Sequence, residues 1–164
     1  MSRRAYFDNG STTAVAKEVM DEMLPFFAED YGNPSSIHSM GDVAAKAVSS
    51  ARKRTASALN CRPSEIVFTS GGTEADNLAL MGVMRNSGKK KIITSAIEHS
   101  AVLETCQFLR SSGCEVIILP VDREGRVSTD DLSDAICNGT AMVSIMAANN
   151  VIGTIQPIRE LARI

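Results

Sequence analysis

The sequence predicts an α/β fold in which a mostly parallel sheet is covered by helices on both faces. Short apolar runs alternate with segments of helical period from residue 66 onward. Those runs are continuously apolar, the pattern of strands buried on two sides. A glycine pair, Gly71-Gly72, joins the first run to the helical period that follows it.

In chain order, residues 6–13 (Tyr-Phe-Asp-Asn-Gly-Ser-Thr-Thr) open with an apolar stub and continue as turn chemistry, since Asn-Gly readily takes positive φ. A helix is expected over 14–28, with Val15, Val19, Met23 and Phe26/Phe27 on one face and Pro25 kinking or shortening it. Residues 32–41 read as a loop marked by Asn33-Pro34 and flanking glycines. The alanine-rich stretch 41–59 reads as a helix.

Residues 66–69 (Ile-Val-Phe-Thr) are expected to form a short buried strand, stopped by Ser70-Gly71-Gly72. From Thr73 a helix begins, with Ala75, Leu78, Ala79 and Gly82 on one small-residue face and Glu74 in the first turn, where the helix dipole favours it. A glycine turn at a helix start makes an anion site: free N–H groups point outward, and no Cβ obstructs the backbone. The same pattern also serves as a strand-to-helix turn that binds nothing. Neither G-x-G-x-x-G nor G-x-x-x-x-G-K is present, so the residues alone leave the anion unidentified.

The remaining elements follow in alternation. Strands are expected at 91–94, 114–119 and 141–146, and helices at 100–109, 129–136 and from Ile158 after Pro157. Val102, Cys106 and Leu109 form the inner side of the first of these helices, which Gly113 ends. Ser128 or Thr129 caps the second. The last amphipathic stretch, 157–164, stops without a cap, so the chain is expected to be cut inside a fold.

A length of 164 residues suffices for one domain with a core, and 44% hydrophobic with 22% charged residues is ordinary for a soluble globule. A net charge of −2 recruits neither nucleic acid nor an anionic membrane. Lys89-Lys90-Lys91 reads as a solvated turn, no apolar run approaches a membrane span, and the N-terminus lacks a signal-peptide core, so a cytoplasmic location is expected. Four cysteines (Cys61, Cys106, Cys114, Cys137) show neither C-x-x-C spacing nor a histidine pattern. No metal site is indicated, and each is expected as a small buried or half-buried hydrophobe.

Five segments in collinear order resemble one family, the cysteine desulfurases of the aminotransferase class V group of pyridoxal-phosphate enzymes. Residues 6–13 resemble their D-N-A-A-T-T opening, and 31–38 (Tyr-Gly-Asn-Pro-Ser-Ser-Ile-His) their G-N-P-S-S-x-H. Residues 66–82 resemble I-V-F-T-S-G-A-T-E-x-N-N-L-A-I-x-G, 93–102 resemble I-T-S-x-x-E-H-x-A-V, and 143–157 resemble V-S-x-M-x-x-N-N-E-x-G-x-x-Q-P.

The resemblance implies the N-terminal part of the large domain of a fold type I enzyme, with residues 1–14 as an arm and 15–164 as the portion that binds pyridoxal 5'-phosphate. It makes the coenzyme's phosphate the anion at Gly72 and Thr73. It makes His99 the catalytic imidazole that stacks on the pyridine ring and moves protons, and Asn150 the amide that reaches the phenolic oxygen. Read as residues only, His99 is an exposed polar residue at a helix start and Asn150 part of an Asn-Asn turn. Asn33 and His38 are placed near the substrate by the resemblance, and in a turn around Pro34 by their local sequence.

The family's activity converts L-cysteine to L-alanine and carries sulfur as a cysteine persulfide for iron–sulfur cluster or thio-cofactor synthesis. A homodimer and a sulfur-acceptor or scaffold protein are the implied partners. Two departures stand out. Val151 occupies the family's glutamate position, and none of the six lysines or four cysteines matches the coenzyme-anchoring lysine or the sulfur-accepting cysteine. The chain alone is therefore expected to be inactive. The alternatives are another class V member (a selenocysteine lyase or aminotransferase) and a non-catalytic half-domain that binds a phosphorylated ligand or a protein.

Overall fold

The computed structural model describes residues 5–164, so the first four residues of the expected arm lie outside the described residues. The chain forms two compact units, Met1–Phe68 and Thr69–Ile164.

The first unit is helical. The expected helix over 14–28 is broken into α1 (Lys17–Met23) and α2 (Pro25–Ala28), with the break at Leu24 where Pro25 removes a backbone donor. Its apolar face is not closely packed: Val15, Val19, Met23, Phe26 and Phe27 all stay exposed. Val19, Met23 and Phe26 line an open groove of about 850 Å³ opposite Ala44, Ala47, Val48 and Ala51 of α3 (Ser39–Ala58). The alanine side chains are too short to fill that space. His38 caps α3, its Nδ1 accepting the Gly41 N–H at 3.3 Å. The loop before it folds back tightly, and a β-carbon at Gly41 would collide with the Ser36 carbonyl.

A 3₁₀ turn, Pro63–Glu65, ends this unit. The buried strand expected at 66–69 is absent: Ile66 is extended (φ −88°, ψ 127°), but Val67 and Phe68 are exposed and no described strand pairs with them. Extended backbone becomes a strand only when a neighbour takes its hydrogen bonds. Here Arg52 does part of that work, donating to the Ile66 carbonyl while its guanidinium lies 4.9 Å from the Phe68 ring centroid.

The second unit is the expected parallel sheet. Its three strands, β1 (Lys91–Ser95), β2 (Glu115–Leu119) and β3 (Thr140–Ser144), are ordered β2-β1-β3, with every pair parallel. Helices α4 (Gly72–Asn86) and α5 (Ser100–Ser111) precede and follow β1, α6 (Thr129–Ala135) precedes β3, and α7 (Ile158–Leu161) comes last. Successive side chains of a strand point to opposite faces. Ile92 accordingly packs with Leu80, Met84, Val102, Cys106, Leu109 and Val116. Ile93 packs with Leu119, Val127, Leu132 and Leu161 on the other face. One residue step on a central strand thus builds two cores and a helix layer on each side.

Three local expectations are corrected. The buried stripe of α4 is Leu80 and Met84, while Leu78 and Ala79 of the expected small-residue face are exposed. The longer side chains fill the space above Ile92 that alanine and glycine would leave empty. Lys91 is half-buried at the start of β1, its Nζ donating to the Ala135 carbonyl at 3.1 Å and pairing with Glu115 at 3.2 Å. Cys137 is exposed, whereas Cys106 is buried. Gly113 ends α5 as expected, at φ +90° with the Cys114 N–H bonded to the Leu109 carbonyl at 3.0 Å. Ser128 is the cap of α6, accepting from the N–H groups of Asp130 and Asp131.

Ile93 is fully buried at the centre of its cluster. Ile93→Ala is expected to destabilise the unit by about 2–5 kcal/mol, read from the midpoint of urea unfolding.

Candidate functional site

The order β2-β1-β3 creates a topological switch point. From β1 the chain moves to β2 on one side and then crosses to β3 on the other, so the connections leaving β1 and β3 diverge above their carboxyl ends. A crevice of this kind is where open α/β sheets take ligands. The segment 96–99 leaves β1 at that end and the segment 145–153 leaves β3 there. His99 and Asn150 belong to these two segments.

His99 is the cap residue of α5 (φ −61°, ψ 147°), and its Nδ1 accepts the Ala101 N–H at 3.1 Å. An imidazole that accepts at Nδ1 carries its proton at Nε2 in the neutral form. Nε2 is therefore the atom available to donate or pass a proton. His99 shares a groove of about 390 Å³ with Thr73, between α4 and α5. The groove is braced where the Thr105 hydroxyl lies 2.9 Å from Asn77 Oδ1, while Asn77 Nδ2 donates to the Thr73 carbonyl at 2.8 Å. These bonds tie the second turns of both helices together and anchor Asn77 to the first turn of α4.

At the start of α4, Gly71 is fully extended (φ 167°, ψ −178°), a conformation open to any residue. Among the described residues, a β-carbon at Gly71 or Gly72 would meet no atom within 4 Å. Neither backbone conformation nor packing within the chain demands glycine here. What glycine leaves is open space over helix-start N–H groups that have no carbonyl partner in the helix. That donor set suits a phosphate. Glu74 does not oppose it freely: one of its oxygens accepts both the Ser70 hydroxyl (2.6 Å) and the Ser70 N–H (2.7 Å). Those bonds, the hydroxyl's first, hold the Glu74 carboxyl below the usual carboxylate range.

Asn150 lies exposed in the turn after β3, next to Asn149 and Val151. Asn149 organises that turn: its Oδ1 accepts the Val151 and Ile152 N–H groups at 2.9 and 3.0 Å, and its Nδ2 donates to the Ile97 carbonyl at 2.9 Å. Glu98 is buried and accepts the Met146 N–H at 2.8 Å. Thr73 and His99 are thus brought to one groove, and Asn150 is joined through Asn149 to the turn that carries His99. Asn33 and His38 sit in the first unit, where Asn33 Oδ1 accepts the Ser35 N–H at 2.9 Å and His38 caps α3. Glu98, Asn149, Asn77 and Thr105 were not singled out from sequence. The first two stand directly before the chosen residues in the E-H and N-N segments, the one signal that pointed to them. The larger groove of the first unit has mostly apolar walls and carries Glu18, Glu22 and Asp30 against Arg54, a charge balance unsuited to a phosphate.

An aminotransferase class V family model matches residues 5–164. The chain belongs to the aminotransferase class V family. It is 51% identical to the cysteine desulfurase IscS of Clostridium botulinum (strain Kyoto / Type A2), covering 100% of this chain and 42% of that protein. It is 52% identical to the cysteine desulfurase IscS of Methanosarcina thermophila, over 99% of this chain and 41% of the relative. Among solved structures, a NifS-like protein aligns with a TM-score of 0.95 at 45% identity, over 98% of this chain and 45% of its own. SspA in complex with cysteine aligns with a TM-score of 0.92 at 39% identity, over 96% and 46%. The class V chain described here spans less than half the length of these relatives.

The two extreme cysteines of this class V chain differ chemically. The Gly139 N–H, then the Thr140 hydroxyl, hold the Cys137 thiol below the ordinary thiol range, and nearby Lys91 adds to the effect. Burial, then the Glu98 charge, pushes the Cys106 thiol up. Cys137 is expected to be alkylated first by iodoacetamide near neutral pH and Cys106 last, as peptide mass mapping of a labelling time course will read. Ser70→Ala is expected to raise the Glu74 titration toward an ordinary carboxylate, observable by carboxyl carbon NMR. A carboxyl lowered on folding adds stability above its unfolded pKa. That contribution is lost as the pH falls through the lowered folded value.

Proposed function

We propose that this chain is the N-terminal part of a pyridoxal-phosphate-dependent cysteine desulfurase that converts L-cysteine to L-alanine and passes the sulfur to an enzyme cysteine. The observation that carries the reading is the shared groove of Thr73 and His99 beside the switch-point crevice. Whole-chain identity to named cysteine desulfurases supports it. On this reading residues 15–164 contribute to the coenzyme-binding large domain, and residues 1–14 form an arm.

The Gly72 and Thr73 amides and the Thr73 hydroxyl would hold the phosphate, His99 would lie against the ring, and the Asn150 amide would meet the phenolic oxygen. When bound, the coenzyme supplies an electron sink for carbanion chemistry at an amino acid. The chain's own residues do the rest. Unpaired helix-start N–H groups at Gly72 and Thr73 bind a dianion. The Ala101 N–H fixes the His99 ring through Nδ1 and leaves Nε2 to hold or release a proton. Val151, exposed where the family has glutamate, brings no carboxylate beside Asn150. Asn33 and His38 are proposed as substrate-proximal positions of the first unit.

Lys89, Lys90 and Lys91 lie at the amino end of β1, opposite the end that leads to His99. No lysine of the second unit is thus available to anchor the coenzyme at the site. Further proposals follow from the family reading: a homodimer, a sulfur-acceptor or scaffold protein, a role in iron–sulfur cluster or thio-cofactor synthesis, and a cytoplasmic location.

Titration of pyridoxal phosphate, followed by induced circular dichroism, tests the reading. Saturable binding competed by inorganic phosphate is expected. Thr73→Ala and His99→Ala should each weaken it roughly fivefold to tenfold, about 1–1.4 kcal/mol. Borohydride should trap no single lysine of these 164 residues. Binding that neither variant changes, or labelling of one lysine among the six, would overturn the assignment.

A further inference from the structure

The regular pairing of β1 with β3 ends at Thr94 and Ser144. There the Thr94 hydroxyl donates to the Ser144 carbonyl at 3.0 Å. Beyond that point two side chains replace the backbone ladder. Glu98 is 9% exposed, and its Oε1 accepts the Ser95 hydroxyl at 2.6 Å and the Met146 N–H at 2.8 Å. Asn149 Nδ2 donates to the Ile97 carbonyl at 2.9 Å. Each bond runs from one wall of the crevice to the other, save the Ser95 contact, which locks the Glu98 rotamer within its own wall. Burying a carboxylate costs free energy unless it is well bonded, and an apolar side chain would close a strand end as cheaply. A carboxylate and an amide at this place specify a separation and an angle, which packing alone would leave adjustable.

We propose that Glu98 and Asn149 are positioning residues, a two-rung clamp across the β1–β3 crevice that sets His99 and Asn150 relative to each other. His99 follows Glu98 in the chain and Asn150 follows Asn149, so each rung ends one peptide unit from the group it orients. For its ligand the inference rests on the coenzyme reading above, but the clamp itself is a property of the coenzyme-free chain. A 1 Å looseness between two ring-binding groups is enough to lose affinity for a rigid ring. Phosphate held at Gly72 and Thr73 does not depend on the clamp.

Three substitutions in the full chain separate the possibilities. Asn149→Asp keeps the oxygen that accepts Val151 and Ile152 and replaces the Nδ2 that donates to the Ile97 carbonyl and to Met146 Sδ with a charged acceptor. Glu98→Ala removes the other rung. Glu98→Gln keeps an amide oxygen that can accept both of the bonds made by Oε1. Asn149→Asp and Glu98→Ala are expected to weaken pyridoxal phosphate roughly fivefold to tenfold while inorganic phosphate binds as before. Glu98→Gln should stay within about twofold of the unaltered chain, since both bonds survive. In the coenzyme-free chain, the His99 imidazole and Asn150 amide NMR signals should move together in Asn149→Asp.

Equal loss of phosphate and coenzyme affinity would mark a merely structural role and overturn the proposal. So would unmoved His99 and Asn150 signals in Asn149→Asp. If Glu98→Ala fails to fold, Asn149→Asp alone decides. If the unaltered chain takes up no pyridoxal phosphate, the coenzyme reading fails, and the NMR comparison decides the clamp by itself.

Discussion

Where the ladder between β1 and β3 stops, the strands' exits are held by side-chain hydrogen bonds, and the site depends on that substitution. A parallel ladder is evenly spaced and admits no ligand between its strands. Opening a crevice means giving up backbone bonds, and the Met146 N–H and Ile97 carbonyl would then be unpaired polar groups in a half-buried setting. Glu98 and Asn149 supply the missing partners at 2.8 and 2.9 Å. The crevice stays open without leaving those two groups orphaned.

Electrostatics act at the same end of the sheet, and they are local. A net charge of −2 cannot draw an anion to the protein. The starts of α4 and α5 bring unpaired N–H groups and the positive ends of two helix dipoles to one groove, through Thr73 and His99. The nearest acid on α4, Glu74, is engaged by Ser70. Lysines collect at the other end of β1, where Lys91 serves Glu115 and the Ala135 carbonyl. One end of the strand is organised by lysine contacts and the other by two helix starts.

Much of the second unit was legible in its residues. The helix with Val102, Cys106 and Leu109 inward, its glycine terminator and the serine cap at 128 all follow local rules that tertiary packing did not override. Errors arose where local pattern meets a missing or unexpected neighbour. Residues 66–69 have strand composition, yet pairing needs a second chain segment, and the sequence does not say which segment is beside it. The small-residue stripe of α4 looked like a packing face. Packing against Ile92 instead selected Leu80 and Met84, because volume decides a core. Cys137 looked like a buried hydrophobe because a thiol's exposure depends on how the loop before β3 turns.

The site divides in the same way. Sequence by itself determined which groups are present: a glycine pair before a helix, an imidazole at a strand-to-helix junction, and an asparagine pair after an apolar strand. Helix starts and caps depend on neighbours a few residues away, so one chain segment contains the information. Only the tertiary structure decided that Thr73 and His99 border one groove, and that Asn149 rather than Asn150 crosses to Ile97. Those relations join residues 26 and 52 positions apart, and strand order, not local preference, brings them together.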